Sequence, residues 1–111
     1  MCNYQVWFHD EHSGYVVECK HCKKMQLCFG NMLIDMDRRD FNNFYEYISG
    51  VQKEKQLIID RRKKSVVLVT PCTAISFILT INELDGLCRM IDYVDTEIKT
   101  SALMDMFDTP A

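Results

Sequence analysis

Short apolar runs separated by turn residues occupy the first 36 positions and predict a series of β-strands. Segments 4–9 and 15–19 are rich in aromatic and β-branched residues, and Ser13-Gly14 between them is typical of a turn, so together they predict a β-hairpin. Met25–Phe29 and Met32–Met36 are the third and fourth predicted strands.

After Asp37 the spacing of apolar positions becomes helical. Asp37 is the expected N-cap, and Asp40 lies where the helix dipole favours a negative charge. An amphipathic helix is therefore predicted over residues 38 to about 52. Its apolar face comprises Phe41, Phe44, Tyr45, Ile48 and Val51.

The second half of the chain again places strands before a helix. QLIID (56–60) and SVVLVT (65–70) predict a second hairpin, and AISFILTI (74–81) predicts a strand buried on both faces because its apolar content is continuous. Asn82 is the expected cap of a second helix. Residues 100–111 are expected to extend this helix, to dock on the core, or to meet a partner as a docking tail. The core stripe of the second helix comprises Leu84, Leu87, Cys88, Ile91, Val94 and Ile98.

This order of elements shows no βαβ alternation and predicts one α+β domain over residues 1–111. The expected architecture is a mainly antiparallel sheet of about six to seven strands with two amphipathic helices packed on one face.

Composition and charge narrow the function classes. The chain of 111 residues is 48 % hydrophobic, which argues against disorder, and its net charge of −3 argues against nucleic acid as a partner. Its start does not have the form of a signal peptide, and its most apolar stretch is too short for a membrane span and contains Pro71. These features predict a soluble cytoplasmic protein with reduced thiols.

A constellation of cysteines and histidines between residues 9 and 22 is the main chemical signal. Cys19 and Cys22 have the spacing of a zinc knuckle, and His9 and His12 are candidates to complete the zinc shell. Lys23 stands where such knuckles usually carry glycine, so a metal-free surface hairpin remains the competing interpretation. The reserve ligands are His21, Cys28, Cys2 and Cys72.

Thiol-redox activity at Cys19 and Cys22 is a further alternative. Neighbouring lysines favour the thiolate, but the following residues predict a strand, whereas a redox C-x-x-C normally lies at a helix N-terminus.

No catalytic constellation is present in the sequence. Ser, His and Asp residues occur without a nucleophile elbow, and neither a Walker loop nor a G-x-G-x-x-G motif is found. The leading hypothesis is therefore a non-enzymatic domain that acts through protein contacts, as a homo-oligomer or as a subunit of a larger assembly. Terminal segments rarely keep large apolar residues that are not buried somewhere, so the expected interface comprises Leu103, Met104, Met106 and Phe107.

Three motifs, CKHCKKMQLCFGN, DRRDFNNFYEYI and FILTINELDGLCRMID, extend over much of the chain. In this combination the sequence resembles an uncharacterised family of short Bacteroidota proteins. The resemblance implies a cytoplasmic bacterial domain and no assigned activity. Its matching positions are Cys19, Cys22, Phe29, Gly30, Asn31, Phe41 and Phe44.

Overall fold

A computed structural model describes residues 3–55, 60–70 and 74–107. The first four strands form one antiparallel meander in the order β1-β2-β3-β4, as the sequence predicted. Gly14, at the start of the second strand, has φ of 142°, and a Cβ there would lie 1.9 Å from the carbonyl oxygen of Cys28. This position therefore requires glycine. The strands are β1 (Tyr4–Asp10), β2 (Gly14–Cys19), β3 (Met25–Phe29) and β4 (Met32–Met36).

Helix α1 (Arg38–Glu54) begins at the residue that the sequence indicated. The Asp37 carboxylate accepts a hydrogen bond from the Asp40 N–H at 2.8 Å, and the Asp40 carboxylate accepts one from the Asp37 N–H at 3.2 Å. This reciprocal capping box satisfies two backbone donors that the helix itself leaves unpaired. The acidic residues around Asp37 therefore have a structural use.

Strands β5 (Val66–Val69) and β6 (Ser76–Leu79) form a separate two-stranded antiparallel sheet. The prediction that the second of these is buried on both faces is wrong, because Ile78 is 52 % exposed. A two-stranded sheet can cover only one of its faces with the core. The expected strand over 56–60 falls mainly on residues 56–59, which lie outside the described residues, and the described partner of β5 is β6.

Helix α2 (Ile81–Phe107) begins one residue before the expected cap. Thr80 is the capping residue: its hydroxyl accepts a hydrogen bond from the Glu83 N–H at 3.0 Å, while the Glu83 carboxylate accepts one from the Thr80 N–H at 2.8 Å. The prediction of Asn82 as cap is therefore wrong. The T-x-x-E pattern of residues 80–83 forms a capping box, which outcompetes an isolated asparagine.

Both helices pack on the sheet face that carries Val16 and Leu27, and the α+β prediction is confirmed. The opposite face leaves Val6 and Leu33 exposed. No helix in the described ranges is both long and apolar enough to span a membrane. The most deeply buried side chains are Val16, Met25, Leu27, Phe41, Ile48, Val66, Leu68, Leu84, Leu87, Met90, Ile91 and Val94.

Candidate functional site

The last two turns of α2 extend past the start of α1. The Tyr45 hydroxyl donates to Asp92 and the Gln52 amide donates to Asp85, which fixes an antiparallel register between the helices. In that register Arg38, the first residue of α1, lies level with residue 99. Residues 100–107 therefore continue for about 12 Å beyond α1.

This projecting end carries the four apolar residues that the sequence singled out, which we call the terminal patch: Leu103, Met104, Met106 and Phe107. All four are exposed, with Met106 at 74 % and Phe107 at 82 %. Spacings of three and four residues place Leu103, Met106 and Phe107 on one side of the helix. The structure thus places the predicted interface residues together on the surface.

The other side of the same helix end faces the body of the protein. Ser101, Ala102 and Asp105 line a groove of about 220 Å³ together with Lys20 and Lys23 from the β2–β3 connection. The charged Asp105 therefore lies away from the terminal patch. The terminal patch and the C-x-x-C turn consequently share one end of the molecule.

Two other surfaces also expose apolar side chains. The outer face of the β5–β6 sheet presents Val67, Val69 and Ile78, and the open face of the four-stranded sheet presents Val6 and Leu33. These side chains are aliphatic, Tyr4 beside Val6 adds an exposed aromatic ring to the open face, and all belong to strands of the folded body. The terminal patch differs because it combines a phenylalanine with two methionines, residue types that are enriched in protein interfaces.

Residues 19–24 form a tight turn between β2 and β3, which we call the knuckle turn. The Cys22 N–H donates to the Cys19 Sγ at 3.4 Å, and the Cys19 N–H donates to the Lys24 carbonyl at 2.8 Å. Lys23 has φ of 63° and is the one non-glycine residue with positive φ among those described. Cys19 is buried and Cys22 is exposed.

The two histidines lie at the opposite end of the β1–β2 hairpin. Tyr4 pairs with Cys19, whereas His9 pairs with Tyr15, so four positions along β2 separate the level of His9 from the start of the knuckle turn. That separation is about 13 Å. The structure thus does not bring His9 and His12 together with Cys19 and Cys22, and no three metal-ligating side chains cluster within the described residues. Two of the reserve ligands, Cys2 and Cys72, lie outside those residues.

The surroundings of the cysteines bear on the thiol-redox alternative. The knuckle turn joins two strands, so neither Cys19 nor Cys22 lies at a helix N-terminus, the position that redox C-x-x-C motifs normally occupy. Cys88 lies in the core stripe of α2, where burial raises its pKa to about 11, with further contributions from Asp85 and Asp92. Cys88 is therefore a protonated thiol at neutral pH.

A buried carboxylate near the knuckle turn escaped the sequence analysis. Arg38 donates to both oxygens of Glu18 at 2.6 and 2.8 Å, and the Trp7 indole donates to the same carboxylate at 3.3 Å. Burial by itself raises the pKa of Glu18, but the hydrogen bonds and the charge of Arg38 outweigh burial and lower it. Alternation in β2 places Glu18 on the core face with Val16, a signal that was available in the sequence.

The basic run RRKK (61–64) contacts the start of α2. Arg61 forms an ion pair with Asp85, and Lys64 forms one with Glu83. Two of its four charges are thus paired within the chain, which accords with a structural use of the run.

A surface groove of about 510 Å³ lies between β4, α1 and the end of β5. Its apolar lining includes Phe44, Tyr47 and Val69, and its polar lining includes Asp35 and Asp40. Asp40 belongs to the α1 capping box, and Asp35 accepts a hydrogen bond from Gln26 at 3.2 Å. Both carboxylates are therefore engaged in structural hydrogen bonds.

A protein-family model matches nearly the whole chain. The model of DUF6686, a family of unknown function, matches residues 1–108. The chain belongs to this family. The expectation of an uncharacterised family is confirmed, whereas the phylum stays a prediction. No curated protein and no solved structure matches the chain. Since DUF6686 has no assigned activity, function has to be argued from the geometry.

Proposed function

We propose that this DUF6686 protein is a non-enzymatic domain that works through protein contacts and self-associates through the terminal patch. The observation that carries the proposal is the exposure of four large apolar side chains on a helix end that projects beyond α1. Leaving such a cluster in water is unfavourable, and burying it against an equivalent surface removes that cost.

The exposed area suits a weak dimer. Taking roughly 200 Å² for each fully accessible side chain, exposures of 55, 55, 74 and 82 % correspond to about 500 Å² per copy. Two copies together would bury about 1,000 Å², the lower limit for a specific interface. We therefore expect a dissociation constant in the micromolar range or weaker, because immobilising two chains opposes the gain from burial.

The charge pattern also permits two identical helix ends to meet. Asp105 lies on the opposite side of the helix from the terminal patch, so a two-fold pairing does not bring these carboxylates together. Lys99, just before the projecting end, pairs with Asp95 of its own helix at 2.8 Å. An antiparallel contact between two terminal patches therefore joins apolar surface to apolar surface without like-charge repulsion.

Light scattering after size-exclusion chromatography, over a range of loading concentrations, tests the proposal. The wild-type mass is expected to rise with concentration from 13.1 kDa toward twice that value. Leu103→Gln and Phe107→Gln should each shift the protein to the monomer. Leu33→Gln is the matched control, because Leu33 is 58 % exposed and Leu103 is 55 % exposed.

Two results would contradict the proposal. One is a monomer at every concentration. The other is a dimer that Leu103→Gln leaves intact while Leu33→Gln or Ile78→Thr dissociates it, which would move the interface to an exposed sheet face.

A further inference from the structure

Strand β4 forms one edge of the four-stranded sheet and, within the described residues, pairs only with β3. The two-residue turn Gly30-Asn31 makes Phe29 and Met32 a hydrogen-bonded pair, and such pairs alternate along an antiparallel ladder. The backbone N–H and C=O groups of Leu33 and Asp35 therefore point away from β3. The hydrogen bonds of the described residues include none to these four groups. This edge is therefore open to a further strand.

The surface groove between β4, α1 and the end of β5 runs beneath this edge, and we call it the edge groove. Its volume of about 510 Å³ is typical of ligand-binding clefts. Its apolar walls comprise Ile34, Met36, Phe44, Tyr47 and Val69. The Tyr47 hydroxyl accepts a hydrogen bond from the Val69 N–H at 3.0 Å, which holds the end of β5 against α1. Because Ile34 and Met36 lie on the inner face of β4, the inner side chains of an added strand enter this groove.

The edge groove is also negatively charged. Asp35 and Asp40 line it, and the described lining contains no lysine, arginine or histidine. Asp35 accepts from Gln26 through one oxygen, and Asp40 accepts from the Asp37 N–H through one oxygen. An ionised carboxylate can accept several hydrogen bonds, so the second oxygen of each remains available to an ammonium or guanidinium group.

This charge decides between two kinds of added strand. Two-fold pairing of β4 with β4 of a second copy would bring four carboxylates close to the axis, where like charges repel. A basic segment is instead attracted by both carboxylates of the groove.

We propose that the edge groove binds an extended basic segment of a partner protein, which adds to the sheet as a fifth strand beside β4. The apolar side chains of the segment fill the groove on the inner face, and a lysine or arginine on its outer face pairs with Asp35 across the strands. No described residue of α2 lines the groove, so this inference does not depend on self-association through the terminal patch.

Fluorescence anisotropy of a labelled six-residue peptide that alternates lysine and valine tests the inference on the full-length protein. We expect saturable binding that is about tenfold tighter than the binding of two control peptides. One control has three lysines followed by three valines, and the other has glutamate in place of each lysine. The first control separates strand addition from general attraction to an acidic protein, because its composition and charge are unchanged.

Two valines of β5 provide a matched pair of variants. Val69 and Val67 are 66 and 54 % exposed, and replacing either by lysine adds one positive charge, but only Val69 lines the edge groove. Val69→Lys should weaken peptide binding about tenfold, whereas Val67→Lys should leave it unchanged. Asp35→Asn keeps an oxygen that can accept from Gln26 and should weaken binding about threefold. Glu11→Gln, at an exposed carboxylate in the β1–β2 turn, is its control.

Amide NMR spectra identify the edge that the peptide occupies. We expect the largest shifts, and slower hydrogen exchange, at the N–H groups of Leu33 and Asp35. The inference is overturned if the alternating peptide does not bind, if the control of equal composition binds as tightly, or if Val67→Lys weakens binding as much as Val69→Lys. Slower exchange at Leu33 and Asp35 that develops with protein concentration in the absence of peptide would assign the edge to a second copy and also overturn it.

Discussion

Replacing Arg38 by methionine tests whether the carboxylate of Glu18 is stabilised as the structure describes. The Glu18 side chain is 6 % exposed, whereas the Arg38 side chain is 48 % exposed. Methionine keeps an apolar stem beside Trp7, over whose ring the Arg38 guanidinium lies at 5.7 Å from the centroid. The substitution therefore removes charge and hydrogen bonds more than it removes packing.

The expected loss of stability in Arg38→Met follows from the two hydrogen bonds, at 2.6 and 2.8 Å, that Arg38 donates to Glu18. A hydrogen bond to a charged group contributes roughly 1.5–3 kcal/mol, so two set an upper bound of about 3–6 kcal/mol. Arg38 is half exposed, and water would replace part of the interaction, which reduces the expected loss to about 2 kcal/mol. The free energy of unfolding, measured by urea denaturation, should fall by that amount. Arg39→Met, at the neighbouring exposed arginine, is the matched control.

The pH dependence gives an independent check. In the wild type the pKa of Glu18 lies below its ordinary value of 4.5. The ionised carboxylate therefore contributes its full share to the free energy of unfolding above pH 4.5. That share is lost as the pH falls through the folded-state pKa. In Arg38→Met the carboxylate stays buried without its partner, which raises its pKa, so protonation then favours the folded state. The difference in stability between the two proteins should therefore shrink in acid. A difference below about 0.5 kcal/mol, or one that is constant with pH, would refute this reasoning.

Four further substitutions test three features of the fold, each by urea denaturation. Lys23→Gly should raise the free energy of unfolding by about 1 kcal/mol, because glycine adopts the left-handed conformation without strain; a loss of stability would argue against that conformation. Gly14→Ala should lower it by about 3 kcal/mol or more, since the added Cβ would overlap the Cys28 carbonyl, and a neutral effect would contradict the β2–β3 register. Thr80→Ala should cost about 1 kcal/mol, whereas Asn82→Ala should cost less; the reverse order would restore Asn82 as the cap.

The spacing of apolar residues was sufficient to predict the strands and the helix that have one face on the core. The meander over the first four strands and the start of α1 follow from short apolar runs and from the Asp37 cap, because each of these strands has one face on the core and α1 has one apolar face. The start of α2 was predicted two residues too late, because the choice of Asn82 as cap overlooked the reciprocal hydrogen bonds between Thr80 and Glu83. Strand β6 lies within the predicted strand 74–81 but ends at Leu79, because Thr80 and Ile81 belong to the start of α2. Its burial was predicted wrongly, because a continuous apolar run does not reveal whether a second layer exists.

The terminal patch and the knuckle turn also differ in how much of each could be predicted from the sequence. The terminal patch could be selected from sequence because four large apolar residues fall within five positions, 103–107, which is typical of a buried or interface segment. The geometry around Cys19 could not be predicted, because the spacing of the two cysteines does not give the direction of an N–H group or the φ angle of Lys23. The separation of His9 from Cys19 depends on strand register, which two histidines three residues apart leave undetermined.

Self-association through the terminal patch is tested most directly by a contact between two copies. In an equal mixture of isotope-labelled and unlabelled protein, filtered NMR spectra detect nuclear Overhauser effects between chains only. We expect such effects between the Phe107 ring and the methyl groups of Leu103 and Met106, increasing with concentration as dimer forms. Their absence at a concentration where light scattering shows a dimer, or their appearance at Leu33 or Ile78 instead, would contradict the account.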